Sequence, residues 1–561
     1  MSANTLIDEL WTQDFYRSVE IFVPELILSA TIVLLLLSRI MGCDKKVLPC
    51  WTAVGGVLLS FAAVFGQFLY LKTGGNSSTP PVQTLFELTR LSEDGVGTIG
   101  TYFSGLLVHD HFATLYRMGL LLFLLLVITL TVLTGIPDDE DGPDFYVLIC
   151  GSTLGMLLAT GVNHLLMLFV AIEMMSLPSY VLVGFLKGRK VSSEAALKYV
   201  VYGAGSAGVM LYGISLLSGL LGSGVISELG GRFAFLMQDQ AFSLGSSETI
   251  TLVLGIIMVL VGVAFKLSLV PFHFWAPDAF EGASAEVGGF LSVASKAAAF
   301  ALLIRFVMGF DGTAPVLQSL SRFIGIGLGV MAVISMTFGN LAAYTQTNMK
   351  RLLAYSTIAH AGYMLLAISA LLVTLNAPSN SELNATQEAV HCVEGLTYYL
   401  AVYLFMNLTA FAVVALVRNQ TFSEDLSAYR GLFSGGPTIK VLCVCLAISF
   451  FSLVGMPPFG GFTAKLFIFL SAFKAGSVHW IMWALVGLGG LNTAFSLYFY
   501  LKVLKTVFMD SPAEGQPAVD APPLVGWYVL ILSLPIVILG ASPLQDDLSR
   551  IAEFAAESLF R

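Results

Sequence analysis

Long apolar runs set the pattern of this chain. They recur from near residue 20 to near residue 542, each about 20 residues long, the length at which an α-helix crosses the hydrocarbon core of a bilayer. Taking each run as one helix predicts about 14 spans, with cores at 20–39, 51–71, 115–135, 144–162, 165–186, 195–221, 250–275, 287–310, 316–339, 350–374, 391–417, 438–472, 481–506 and 525–542. A transmembrane β-barrel would give weak alternation, not solid runs such as MGLLLFLLLVITLTVLTGI. The fold class is an all-α polytopic membrane protein.

Two of the runs interrupt themselves. The twelfth is too long for one straight helix and contains GMPPFGGF. Pro457 and Pro458 lack the N–H that an interior helical position needs, which predicts two half-helices parted between Gly455 and Gly461. The seventh ends in FKLSLVPFHFWAPD, Phe265 to Asp278. There Pro271 predicts a break around Leu267 to Pro271 and frees the carbonyl of Leu267 for water or a cationic donor. The breaks lie five spans apart. An odd count reverses orientation, so the pattern predicts two inverted five-helix repeats, spans 4–8 and 9–13, with helices 7 and 12 broken.

The chain then divides into an N-terminal three-span region (1–143), a first repeat (144–310), a second, inverted repeat (311–506) and a C-terminal span with its tail (507–561). Polar loops, TGGNSSTPPVQTLFELTRLSEDGVGTIG and NAPSNSELNATQEA, follow spans two and ten. The tail LQDDLSRIAEFAAESLF has the spacing of an amphipathic helix, too short and charged to span.

Composition agrees and narrows the function. The chain is 57% hydrophobic and 11% charged, against about 25% charge in soluble domains. Its net charge of -9, fed by loops such as PDDEDGPD, argues against nucleic acid and against a polybasic lipid-binding surface. Basic residues such as Arg39, Lys187, Arg189, Lys190, Arg418, Arg430, Lys440, Lys502 and Lys505 fall in the odd-to-even loops, which puts those loops inside and both termini outside. The start of the chain lacks a basic region before the first span, so that span is expected to be retained. The six cysteines have no C-x-x-C spacing and no histidine set, so no metal, haem or iron–sulfur site is read and any electron carrier lies on another chain. GAGSAG (Gly203 to Gly208) follows no strand and reads as close helix packing, not as a dinucleotide fingerprint.

Charge at membrane depth is the candidate chemistry, because it is costly there and marks ion or proton pathways. Lys266 lies inside the seventh run beside the break. Glu173, in FVAIEMMSLPSY, is mid-run, with Pro178 freeing the carbonyl of Met174, and an intramembrane lysine is its expected partner. Lys296 is surrounded by small and apolar residues in span eight, and Lys465 follows the second break. Static salt bridges or packing lysines are the bland alternatives. Lys198 stands near a helix start, where a snorkelling lysine is an equal reading. His360, buried in span ten, is either a hydrogen-bonded core residue or a bridge between two lysines. His273 suits a loop-anchoring or proton-uptake role, and Glu286 reads as a solvated carboxylate at a helix N-terminus.

FKLSLVPFHFWAPDAFEGA, ASKAAAF, QTNMKRLLAYSTIAHAGYML and GMPPFGGFTAKLFIF together resemble the antiporter-like membrane subunits of respiratory complex I (NADH:quinone oxidoreductase), nearest the subunit N type, from about Leu154 to Tyr500. The resemblance implies a proton-translocating subunit with two half-channels, coupled to quinone reduction elsewhere and holding no redox centre. It implies that Glu173 and Lys266 pair, that Lys296 is the central lysine and Lys465 the terminal one, that Lys198 matches a lysine of span six, and that His360 stands between the half-channels. NADH, FMN, iron–sulfur clusters and quinone would sit on partner subunits, with no cofactor or metal in this chain. Partners would be a neighbouring subunit of M type, small subunits of J and K types, and lipids. The expected location is the bacterial inner membrane, with a mitochondrial or plastid membrane as the alternative. One departure stands out: the family commonly has GAPAPVS after the seventh span, and here GASAEVG puts Glu286 where that pattern has a proline. The rivals are an Mrp-type cation/proton antiporter subunit, the membrane subunit of a related hydrogenase complex, and a structural scaffold. Sodium exchange would call for oxygen-rich ligands, whereas the charges at depth are mostly lysines.

Overall fold

The computed structural model describes residues 15–42, 48–72, 100–136, 141–237, 243, 245–375, 377, 384–512, 521–541 and 543–560. Its helices are α1 (Tyr16–Ile21), α2 (Val23–Ile40), α3 (Leu48–Lys72), α4 (His111–Thr134), α5 (Gly142–Thr160), α6 (Leu165–Val183), α7 (Lys190–Leu221), α8 (Ile226–Met237), α9 (Ser247–Leu267), α10 (Trp275–Gly282), α11 (Ala285–Met308), α12 (Pro315–Ala343), α13 (Met349–Thr374), α14 (Ala385–Thr421), α15 (Pro437–Val454), α16 (Gly460–Ala475), α17 (Ile481–Phe508), α18 (Pro523–Ala541) and α19 (Pro543–Glu557). A short antiparallel hairpin, β1 (Gly100–Tyr102) and β2 (Leu107–His109), precedes α4.

Among the described residues, 14 helices are long and apolar enough to cross a membrane. They match the predicted runs one for one, and the tail forms α19 as its spacing foretold. Nearly all of the first predicted polar loop and half of the second lie outside the described residues. An even number of crossings leaves the described ends of the chain on one face. The other face carries Arg39, Lys187, Arg189, Arg418 and Arg430 and is called the basic face below.

Helices α11, α13 and α14 form the centre. The apolar stretch of α13 is buried throughout, and those of α11 and α14 nearly so, as expected of helices apolar on all sides. The surrounding helices turn large apolar side chains outward, among them Leu34, Val201 and Ile531, the surface that lipid tails cover.

Two expectations need correction. The link between spans six and seven contains α8, a helix the sequence reading did not assign; its apolar face, Ile226, Leu229, Phe233 and Met237, is buried. It is too short to span, and its periodicity is masked by a glycine pair. Glu286 is not solvated: it is 1% exposed, because the turn from α10 into α11 is folded beneath α13 and α14 instead of standing at the surface.

Candidate functional site

Both predicted breaks are present, and each is closed by a lysine. At the first, Ser268 takes a left-handed φ of 55°, and the amides of Ser268 and Leu269 donate back to the carbonyls of Phe265 and Ala264 at 3.0 and 2.9 Å, ending α9. Side chains meet the polar groups this exposes. Trp275 Nε1 donates to Phe265 O at 2.8 Å, and Val270 N donates to Ser335 Oγ at 3.0 Å. Lys296 Nζ donates to Leu267 O at 3.1 Å, to Ser268 Oγ at 2.8 Å and to Thr357 O at 2.9 Å. The freed Leu267 carbonyl thus meets the cationic donor that Pro271 was expected to leave it for.

The second break repeats the device. α15 ends at Gly455, whose φ of 88° is one that only glycine adopts readily. Lys465 Nζ, reaching back from α16, donates to Leu453 O at 3.0 Å and Val454 O at 2.9 Å. A Cβ on Gly455 would lie 2.9 Å from Lys465 Cδ, so glycine also makes room for the side chain. At both breaks the ammonium sits on the last carbonyls of a half-helix, the negative end of its dipole.

His360 lies between. Its Nδ1 is 2.6 Å from Tyr399 OH, and its Nε2 is 3.4 Å from Tyr500 OH. The ammonium of Lys465 lies 4.3 Å from the Tyr363 ring centroid, and that ring is 5.9 Å from His360. Lys266 continues the row on the other side. Its Nζ donates to Ser176 Oγ at 3.1 Å and Tyr199 OH at 3.5 Å, and Tyr199 stacks on Trp275 with centroids 4.1 Å apart. Lys266, Lys296, His360 and Lys465 are all buried.

The other candidates stand apart from this row. Glu173 is half-buried at its edge. Among the described residues it makes no ion pair with Lys266 within 4.0 Å. Lys198 does not join the row: its side chain is 42% exposed and pairs with Asp278 and Glu194, each at 2.8 Å. His273 is buried with its ring 4.4 Å from those of Phe274 and Phe338, an anchor for the loop.

Sequence reasoning missed several buried charges. Arg305 clasps Asp110 through two contacts of 2.7 Å, and Arg117 lies 3.1 Å from Glu25 with both side chains almost fully buried. Lys350 Nζ donates to Glu281 O and Ala283 O and pairs with Glu424 at 2.9 Å. Each stands near the end of an apolar run, where a charge reads as interfacial, and their partners are distant in sequence. The only available signal was opposite charges at run ends on the same face.

Fold and row together define a helical membrane protein with two broken helices and a line of buried charges, the features that mark ion- and proton-moving membrane proteins. The family model of the NADH:quinone oxidoreductase/Mrp antiporter membrane region matches residues 162–492, and the chain belongs to that family. It is 38% identical over 453 residues to NADH-quinone oxidoreductase subunit N of Anaeromyxobacter sp. (strain Fw109-5), covering 78% of this chain and 82% of that one. Over 547 residues it is 34% identical to NADH-quinone oxidoreductase subunit N 2 of Sorangium cellulosum (strain So ce56), covering 96% and 98%. Among solved structures, a chain of respiratory complex I from Thermus thermophilus with bound aureothin superposes with a TM-score of 0.68 at 29% identity, over 92% of this chain and 96% of that one. A chain of the Mrp complex from Dietzia sp. DQ12-45-1b superposes with a TM-score of 0.73 at 18% identity, over 97% and 98%, a likeness of fold alone.

Proposed function

We propose that this chain is the subunit-N-type proton-translocating membrane subunit of an NADH:quinone oxidoreductase, and that protons cross it along Glu173, Lys266, Lys296, His360 and Lys465. The observation that carries this reading is the pair of buried ammonium groups, Lys296 and Lys465, held on the end carbonyls of two separate half-helices with His360 between them. A buried lysine changes its charge readily when a neighbouring charge moves. Having lost a proton, its amine still donates to the same carbonyls and so stays in place. His360, with a tyrosine hydroxyl at each ring nitrogen, can take a proton on one side and release one on the other.

In this reading each five-helix unit supplies a half-channel, and quinone reduction in other subunits shifts the charge along the row. NADH, FMN, iron–sulfur clusters and quinone belong to partner subunits. The neighbours are an M-type subunit and small J- and K-type subunits. By the positive-inside rule the basic face is the inner one. Lys198, bound to Asp278, contributes from the edge of the first half-channel. The Mrp-type rival needs oxygen ligands for sodium, yet the break carbonyls of Leu267, Leu453 and Val454 already hold lysines.

The test is purification of the tagged chain from its native membrane in mild detergent, followed by mass spectrometry of the intact complex and a quinone reductase assay. Flavin- and iron–sulfur-bearing subunits with NADH-dependent quinone reduction are expected. A complex without redox subunits that exchanges sodium for protons would overturn the reading.

A further inference from the structure

We infer that Glu286 is a proton-relay residue that feeds Lys296 from the basic face; the inference rests on the proton-translocating reading above. Glu286 is the second residue of α11, just after the capping Ser284, whose Oγ accepts from Val287 N at 3.3 Å. The carboxyl group is 1% exposed, and neither oxygen meets a hydrogen-bond donor among the described residues. Burying a carboxyl without partners is expensive. A group kept there for structure alone would be expected to have a cation beside it.

Among the described residues, the cations that hold this turn and its rim are engaged elsewhere. Lys350 holds the turn itself, through Glu281 O and Ala283 O, and pairs with Glu424. Arg351 pairs with Asp278 at 2.7 Å and Glu281 at 2.6 Å, and Lys198 takes Asp278 and Glu194. Glu286 is left as an uncommitted acid one layer beneath a charged rim, in which Asp278 and Glu281 are 27% and 32% exposed.

Polar groups continue inward from it along the groove between α11 and α14. Gly288 and Gly289 pack directly against Phe411, which keeps the groove narrow. Further in, Asn407 Nδ2 donates to Ser292 Oγ, and Asn407 Oδ1 has no hydrogen-bond donor among the described residues. Lys296 follows one turn later. At 1.5 Å per residue, Ser292 lies about 9 Å and Lys296 about 15 Å along the helix from Glu286, gaps that a few buried waters with such polar partners can bridge. The transfer is simple to balance. The Glu286 carboxylate takes a proton from water at the basic face. The acid then passes it, by way of the Ser292 hydroxyl and water, to the neutral Lys296 amine, leaving carboxylate and ammonium.

The experiment compares wild type, Glu286→Gln, Glu286→Asp and, as a control, Lys296→Ala in the whole complex in vesicles. It reads proton pumping per quinone reduced, normalised to assembled complex, and the infrared difference spectrum in the carboxyl region. Expected are full assembly of Glu286→Gln with loss of pumping and of one carboxyl band, and retention of both in Glu286→Asp. Normal pumping in Glu286→Gln beside impaired Lys296→Ala overturns the relay and leaves the proton-translocating reading standing. Normal pumping in Lys296→Ala as well overturns both. Loss of assembled complex in both Glu286 variants, with pumping per complex intact, makes Glu286 structural and overturns the relay.

Discussion

Lys465 caps Val454: its ammonium lies 2.9 Å from the Val454 carbonyl oxygen at the broken end of α15, as that of Lys296 lies 3.1 Å from the Leu267 carbonyl at the broken end of α9. In each case a helix that stops within the protein presents unsatisfied carbonyls, and a lysine from another element satisfies them. The break and the buried charge are therefore one structural unit, and disturbing the backbone should disturb the charge.

Gly455→Ala tests that link. A left-handed alanine costs about 1–2 kcal/mol, and its Cβ would press on Lys465 Cδ. The expected outcome is a modest fall in thermal stability and a large fall in pumping per assembled complex. Gly487→Ala, where a Cβ meets nothing within 4 Å, should change neither.

Trp275→Phe removes the donor to Phe265 O while keeping a ring to stack on Tyr199. Losing that hydrogen bond should cost about 1 kcal/mol, measured as a lower melting temperature of the purified complex. Pumping should fall as well, because the freed Phe265 carbonyl loosens the break on which Lys296 sits.

The Glu25–Arg117 pair lies off the row and should behave as structure. Removing one partner of a buried pair costs about 3–5 kcal/mol, so Arg117→Met should sharply reduce the amount of assembled complex. Glu25→Leu with Arg117→Met should restore much of it, and pumping per assembled complex should match wild type in both.

Much of this architecture was legible in the sequence because membrane helices satisfy their backbones internally and announce themselves as apolar runs. The breaks were legible because Pro271 and the pair Pro457–Pro458 have a local effect. So was the depth of Lys266, Lys296, His360 and Lys465. What the sequence could not supply was pairing. Nothing local says that Lys296 reaches Leu267, 29 residues away, or that Arg305 reaches Asp110, 195 residues away. The surroundings of Lys198 were hidden for the same reason, since its acidic partner Asp278 comes from a distant turn, and Glu286 looked solvated because burial of its turn by α13 and α14 is a tertiary fact.

His109, in β2 and 1% exposed, should make the protein acid-sensitive. Burial, helped by the Arg117 guanidinium and by His111 and Arg305 and opposed by Asp110, lowers its pKa to about 3. The unfolded chain takes up a proton near the ordinary histidine value of about 6.5, so stability is fully present above that and falls between about 6.5 and 3, by up to about 1.4 kcal/mol per pH unit. His109→Phe should flatten this part of the stability–pH curve, measured by thermal unfolding of the complex from pH 7 to 5.

The measurement that bears most directly on the central claim is proton pumping per quinone reduced, normalised to assembled complex, for Lys296→Ala and Lys465→Ala in sealed vesicles. Each lysine holds carbonyls that water can take over, so assembly should persist, and pumping should fall in both variants to well below wild type. Pumping at the wild-type ratio in well-assembled variants would contradict the account.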